Sequence, residues 1–154
     1  LETCGQRCGA RACARVLPQP TPNSSGYNPA NAAHRAVRYL VGHSLGGIFL
    51  AKYLSENDMP AKIAGLFLVA APYDESEVDE SLGDFILPES LQNISDQVKK
   101  VSLYQSQDDP VVPFHHVEKY EKKIPGAQTR VFEGKGHLNQ GDFPELVQDI
   151  ENVA

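Results

Sequence analysis

No stretch of this 154-residue sequence approaches the run of about 18 apolar residues that a membrane-spanning helix needs. A secretory signal is not indicated either, because Arg7, Arg11 and Arg15 near the N-terminus accompany no apolar core segment. Basic residues are in the minority: 14 Lys and Arg stand against 20 Asp and Glu, giving a net charge of −6 and a pI near 5.3. This balance argues against binding of nucleic acid or of an anionic membrane. We therefore expect a cytoplasmic globular protein.

Cysteine is scarce and confined to one end of the chain, at Cys4, Cys8 and Cys13. An odd number cannot close a self-contained set of disulfides. The spacing is not a common zinc pattern and no fourth ligand lies nearby, so we expect no metal site there. The segment around these cysteines has no helical or alternating apolar period. We interpret residues 1–13 as an irregular N-terminal segment and residues 14–154 as one domain.

From residue 14 onward, apolar runs alternate with amphipathic stretches, the pattern of a mostly parallel sheet covered by helices on both faces. This predicts an α/β fold with three layers. The predicted strands are 14–17, 37–41, 63–70, 98–105 and 128–132. The predicted helices are 29–36, with Asn28 as N-cap, 45–54, 114–123 and 144–153, and a proline-containing loop is expected after the first strand at Pro18, Pro20 and Pro22.

An acidic segment at 74–94 contains seven carboxylates and no basic residue, with Leu82, Phe85, Ile86 and Leu87 among them. The simpler interpretation is a solvated connection that places one hydrophobic patch on the core. The alternative is a partial lid over a site, because loops of this length are often functional.

One short motif matches G-x-S-x-G, and it consists of Gly42, His43, Ser44, Leu45 and Gly46. It stands where the predicted strand 37–41 meets the predicted helix 45–54, which is the context of a nucleophile elbow. A serine nucleophile must occupy a strained, exposed turn, and side chains on the flanking glycines would collide there. The Leu45 N–H would point at the oxyanion of an attacked carbonyl. His43, inside the elbow, is expected to be structural.

A serine hydroxyl needs a histidine base and a carboxylate that orients the base, in the chain order Ser, Asp, His. Asp108 and Asp109 follow one predicted strand at the edge where open α/β sheets build their sites. Among the five histidines, only His137 lies in a glycine-rich loop after a strand. His115 and His116 open a helix and are expected to be surface or capping groups.

The segments GHSLGG, SQDDPVVP and GKGH, in this order, resemble the α/β hydrolases over residues 14–154. The small size, VLPQPTPNS and the ending GHLNQGDFPEL resemble, more narrowly, the small serine hydrolases related to retinoblastoma-binding protein 9. That resemblance implies Ser44 as nucleophile, His137 as base and Asp109, directly before proline, as the acid. It implies hydrolysis of carboxylic esters, thioesters or amides through an acyl-enzyme, with no cofactor. Because the sequence has no large cap, we expect an open site and a small or shallowly bound acyl group.

The sequence departs from this family at its start, where relatives have an apolar strand and a loop that donates the second oxyanion N–H. Nothing in residues 1–13 resembles them. Either the chain is truncated or altered there, or strand 14–17 takes the place of the missing first strand, beside the strand that leads to the elbow. Loss of one oxyanion donor typically lowers turnover about 100- to 1,000-fold, so we expect slow hydrolysis from this chain. The competing hypothesis is a hydrolase fold without catalysis that binds a protein partner.

Overall fold

The computed structural model describes residues 14–16, 38–78 and 81–153. The proline-containing loop, the helix predicted at 29–36, His34 and the three cysteines lie outside these residues. The strands are β1 (Ala14–Val16), β2 (Tyr39–His43), β3 (Ile63–Val69), β4 (Val98–Ser106) and β5 (Gln128–Phe132). The helices are α1 (Leu45–Glu56), α2 (Gln92–Gln97), α3 (His115–Lys123) and α4 (Pro144–Glu151). No helix in the described ranges has the length and hydropathy needed to cross a bilayer.

The five strands form one sheet in the order β1-β2-β3-β4-β5. Strands β2 to β5 are parallel, and β1 pairs antiparallel with β2 in the register Arg15 with Val41. The α/β fold is confirmed. The sequence analysis offered two interpretations, and in one of them strand 14–17 takes the place of the missing first strand. In the structure β1 does pair with the free edge of β2.

Each face of the sheet has its own apolar core. On one face, α1, α2 and α3 cover β3 and β4 through side chains such as Leu54, Leu66 and Tyr120. On the other face, α4 covers Phe67, Val69 and Tyr104. The interior strand β3 is buried along its whole length, as its nearly continuous apolar run predicts. The three-layer arrangement therefore follows from strands that are apolar on both faces.

The strand ends differ slightly from those predicted. β2 continues to His43, because its parallel register with β3 extends as far as His43 opposite Val69. β3 ends one residue early, since Ala70 has φ 45° and leaves the extended conformation. A short helix, α2, forms at the end of the acidic segment and buries Ile94. That helix was not predicted.

The acidic segment packs onto the core as the simpler interpretation predicts. Leu82 is buried and Leu87 packs against the core under α1, while Ile86 is exposed. The start of the segment is tied to α3, where Lys119 Nζ lies 2.6 Å from Asp74 Oδ2. These contacts hold the connection after β3 against the body of the domain.

The expectation that His116 is a surface or capping group is wrong. His116 is fully buried, its Nδ1 accepts a hydrogen bond from Tyr73 N–H at 3.0 Å, and its Nε2–H donates to Ser76 O at 2.8 Å. Burial lowers the pKa of the imidazole, which favours the neutral ring that this pairing requires. The side chain is a structural link between α3 and the acidic segment.

We predict that acid weakens the link between Asp74 and Lys119. Burial raises the pKa of the Asp74 carboxyl, but hydrogen bonds from Lys119 and Ser76 outweigh this and lower the pKa from 3.8 to about 2. A lowered pKa contributes stability above the ordinary value, and that stability is lost as the pH falls through the folded value. The urea midpoint should therefore fall between about pH 4 and pH 2, and fall less in Asp74→Asn.

The matched control for this measurement is Asp142→Asn, in the exposed turn before α4. Its acid dependence should follow the wild type. Identical acid dependence in Asp74→Asn and the wild type would show that this pair contributes nothing to the free energy of unfolding in that range.

Candidate active site

The carboxyl ends of three parallel strands bring Ser44, Asp109 and His137 to one edge of the sheet. Ser44 directly follows β2, Asp109 lies three residues after β4, and His137 lies five residues after β5. This edge is where open α/β sheets place their sites, since the strands all end there and the loops converge. The three residues selected from sequence motifs are thus on neighbouring loops of one surface.

Ser44 occupies the strained turn expected of an elbow, with φ 53° and ψ −125°. Its N–H donates to Val69 O at 2.9 Å, which fixes the turn to the end of β3. A Cβ on Gly42 would lie 2.5 Å from Gly46 O, and one on Gly47 would lie 2.5 Å from the Ala71 Cβ. The chain can therefore reverse from β2 into α1 at this point only because these glycines have no side chains.

The N-terminus of α1 presents donors beside Ser44. The first backbone hydrogen bond at this end runs from Gly47 N–H to Ser44 O at 2.8 Å. The N–H groups of Leu45 and Gly46, the first two helical residues, have no intrahelical acceptor. They carry the positive end of the helix dipole and can stabilise an anion there. A second oxyanion donor from the segment before β2 falls outside the described residues.

The buried carboxylate of Asp109 contacts the His137 ring. His137 Nδ1 lies 2.9 Å from Asp109 Oδ2 and 3.1 Å from Oδ1. Burial raises the pKa of this carboxyl, but hydrogen bonds from His137 and from the Val112 and Val111 N–H groups lower it overall. An ionised carboxylate only accepts, so Nδ1 carries a proton and a neutral ring would leave Nε2 as an acceptor. In the described part of the chain, Nε2 has no hydrogen-bond partner.

Gln105 was not selected from the sequence, although it orients Asp109. Its fully buried side-chain amide donates to Asp109 Oδ2 at 2.9 Å and to Val112 O at 2.8 Å. The signal was present: Gln105 is a polar residue in the buried half of β4, four positions before the carboxylate. A buried amide of this kind needs hydrogen-bond partners, and Asp109 and Val112, in the loop after β4, supply them.

His43 and Asp108 both contact the loop that carries His137. His43 Nε2–H donates to the His137 carbonyl at 2.8 Å, and burial lowers the pKa of the His43 ring. Asp108 accepts from the Gly136 N–H at 3.3 Å and is not bonded to the His137 ring. The structure therefore separates the two adjacent carboxylates, because only Asp109 meets the imidazole.

No set of three or more His, Cys, Asp or Glu side chains within 14–16, 38–78 and 81–153 could hold a metal ion. His115 contacts Ser76 Oγ at 3.1 Å and stacks near the His116 ring, with centroids 4.4 Å apart. The chemistry available at the sheet edge is that of a serine, an imidazole, a carboxylate and helix N–H groups.

The family model described as serine hydrolase matches residues 28–146, and the chain belongs to this family. No curated protein matches the sequence significantly. Solved structures with similar folds include the ydeN gene product of B. subtilis, at 22% identity and TM-score 0.68, with 81% of this chain and 70% of that chain covered.

A lipase-esterase related protein from Clostridium acetobutylicum is also similar, at 12% identity and TM-score 0.59, with 82% of this chain and 70% of that one covered. A protein described as a predicted CIB-like hydrolase, from Thermoplasma acidophilum, shares 24% identity at TM-score 0.51, covering 80% of this chain and 51% of that one. At these identities the likeness shows the fold, which is that of the α/β hydrolases. The protein is a serine hydrolase with this fold.

The elbow geometry predicts that Gly42→Ala destabilises the protein, since the new Cβ would lie 2.5 Å from Gly46 O. Overpacking of this kind typically costs about 1–3 kcal/mol. The matched control is Gly141→Ala, where a Cβ would meet nothing within 4 Å. Thermal and urea midpoints of the two variants test this, and equal midpoints would show that the elbow relaxes without loss.

Proposed function

We propose that this serine hydrolase is a carboxylesterase that acts through Ser44, His137 and Asp109. The observation that carries the proposal is the His137 Nδ1 contact with the buried Asp109 carboxylate at 2.9 Å, at the sheet edge that holds a strained serine. The contact sets the tautomer in which Nε2 is a base. We further propose kinship with the small serine hydrolases related to retinoblastoma-binding protein 9, on the strength of the small size and the segments VLPQPTPNS, DDP and GHLNQGDFPEL.

The reaction follows from these groups. Ser44 Oγ forms a bond to the substrate carbonyl carbon while its proton passes to His137 Nε2, and the Leu45 N–H stabilises the oxyanion. Collapse of the tetrahedral intermediate breaks the bond to the alcohol oxygen, which takes the proton from His137. Water then attacks the acyl-enzyme by the same route, with His137 again as base. Asp109 stays ionised and stabilises the imidazolium throughout.

The proposed substrate is an ester with a small acyl group, and thioesters and amides are the neighbouring classes that the same groups can cleave. A cavity of about 290 Å³ lies between the start of the acidic segment and its apolar centre, lined by Tyr73, Leu82, Phe85 and Leu87 among others. Asp74 and Glu75 also line it. A pocket with a mostly apolar lining and two carboxylates favours an uncharged acyl chain.

Ser44→Ala should abolish covalent labelling by a fluorophosphonate probe while leaving the thermal midpoint near that of the wild type. His137→Ala should lower turnover of a nitrophenyl ester by at least about 1,000-fold, because the serine then lacks its base. The control is Ser95→Ala, a hydroxyl whose contact is a 3.4 Å hydrogen bond to Pro125 O. Labelling of Ser44→Ala would reject Ser44, and an unlabelled wild type would favour the non-catalytic, partner-binding alternative.

The adjacent carboxylates should respond differently to the same substitution. Asp109→Asn should lower kcat by about 1,000- to 10,000-fold, since an amide no longer holds the productive tautomer of His137. Asp108→Asn should cost far less, because Asp108 accepts from backbone N–H groups and an amide oxygen still does so. Steady-state kinetics on one ester suffice, and a larger loss in Asp108→Asn would reverse the assignment.

A further inference from the structure

The loop that carries His137 is short and conformationally unusual. Within residues 134–138, here called the base loop, Gly134, Gly136 and Leu138 all have left-handed φ, at 69°, 53° and 49°. A Cβ on either glycine would meet nothing within 4 Å, so those backbone positions are not held by packing. Leu138, in contrast, is buried with Phe67 and Tyr104. A loop with these properties needs polar attachments to hold an imidazole in one place.

We infer that His43 and Asp108, the chain neighbours of the nucleophile and of the acid, are positioning residues that fix the base loop for catalysis. The inference rests on the proposed function, since positioning has a catalytic meaning only if His137 is the base. Each of the two residues is adjacent to a different proposed catalytic residue. Each makes its contact with backbone of the base loop and not with the His137 ring nitrogens.

The first attachment comes from the elbow. His43 Nε2–H donates to the backbone carbonyl of His137 at 2.8 Å, and the two rings meet edge to face with centroids 4.8 Å apart. The elbow is itself fixed, because Ser44 N–H donates to Val69 O. Since His43 and Ser44 are consecutive, this bond ties the backbone of the base directly to that of the nucleophile.

The second attachment comes from the end of β4. Both carboxylate oxygens of Asp108 lie 3.3 Å from the Gly136 N. The buried Ser106 hydroxyl donates to Asp108 Oδ1 and accepts from the Lys135 N–H at 3.2 Å. These two N–H groups directly precede His137 along the chain. The hydrogen bond from Ser106 also lowers the pKa of the Asp108 carboxyl, so the acceptor stays ionised at neutral pH.

These two attachments restrict a tilt of the His137 ring that the Asp109 contact alone would allow. A hydrogen bond at Nδ1 sets one point of the ring, but the ring can still tilt about that point and move Nε2. Fixing the backbone on both sides, at Gly136 N and His137 O, removes that freedom. Asp109 must be charged to stabilise the imidazolium, whereas Asp108 needs only to accept a hydrogen bond from the Gly136 N–H. The base loop has a third polar contact, Lys135 to Glu145 at 2.7 Å, but this pair is partly exposed and worth little.

Four variants of the full chain test the inference. His43→Phe keeps an aromatic ring without the donor, and His43→Gln restores an N–H. Asp108→Ala removes the acceptor, and Asp108→Asn restores a neutral one. Glu145→Gln, which weakens the exposed pair to the same loop, is the matched control. The measurements are kcat and KM on a nitrophenyl ester, thermal midpoint, and the downfield NMR signal of the proton shared by His137 and Asp109.

His43→Phe and Asp108→Ala should each lower kcat about 10- to 100-fold with little change in KM, because small displacements of a catalytic group have losses of this order. His43→Gln and Asp108→Asn should recover most of that loss, and Glu145→Gln should match the wild type. The shared-proton signal should broaden or vanish only in His43→Phe and Asp108→Ala.

Unchanged kcat and an unchanged shared-proton signal in His43→Phe and Asp108→Ala would overturn the inference. So would losses that the conservative variants do not recover, or losses equalled by Glu145→Gln. A wild type that neither hydrolyses esters nor labels at Ser44 would reject the proposed function instead. In that case the shared-proton signal still decides whether His43 and Asp108 hold the ring.

Discussion

The reversal of the chain between β2 and α1 is the constraint on which the site depends. No spacer separates the strand from the helix, so Ser44 takes a backbone conformation that costs of the order of 1–3 kcal/mol in a residue with a side chain. Close packing compensates for this strain: Gly42 lies against Gly46, Gly47 lies against Ala71, and Val69 accepts the Ser44 N–H. The same turn exposes the hydroxyl, orients the first N–H groups of α1, and places His43 against the base loop.

The second constraint is a carboxylate with its side chain fully out of solvent. An unpaired buried charge is strongly unfavourable, and removing the partner of such a charge typically costs about 3–5 kcal/mol. Asp109 avoids this penalty because Gln105, Val111 and Val112 donate to it together with His137. The imidazole is therefore one of several donors that the acid needs for stability. The same hydrogen bonds stabilise the folded loop and orient the imidazole.

Features that depend on residues close together in the chain were predicted better than features that depend on contacts between distant segments. The buried strand at β3 and the strand β5 were predicted within one residue, since apolar runs and turn residues are local signals. His116 was misjudged because helical position suggested exposure, whereas the acidic segment folds over it and uses both ring nitrogens. Gln105 was missed for a related reason. Its partners, Asp109 and Val112, lie in the loop after β4, and no local pattern predicts that the amide turns onto that loop.

The sequence by itself determined the class of fold, the elbow and the chain order of serine, carboxylate and histidine, because each depends on residues that are close together in the chain. Parallel strands end at one sheet edge, so their loops had to meet there. Asp108 and Asp109 differ by one position, and before the structure only the family resemblance favoured Asp109. The tertiary structure shows that the two carboxylates point to different partners, the Gly136 backbone and the His137 ring. That difference depends on how β4 and β5 are registered and on which carboxylate is enclosed, and neither is encoded locally.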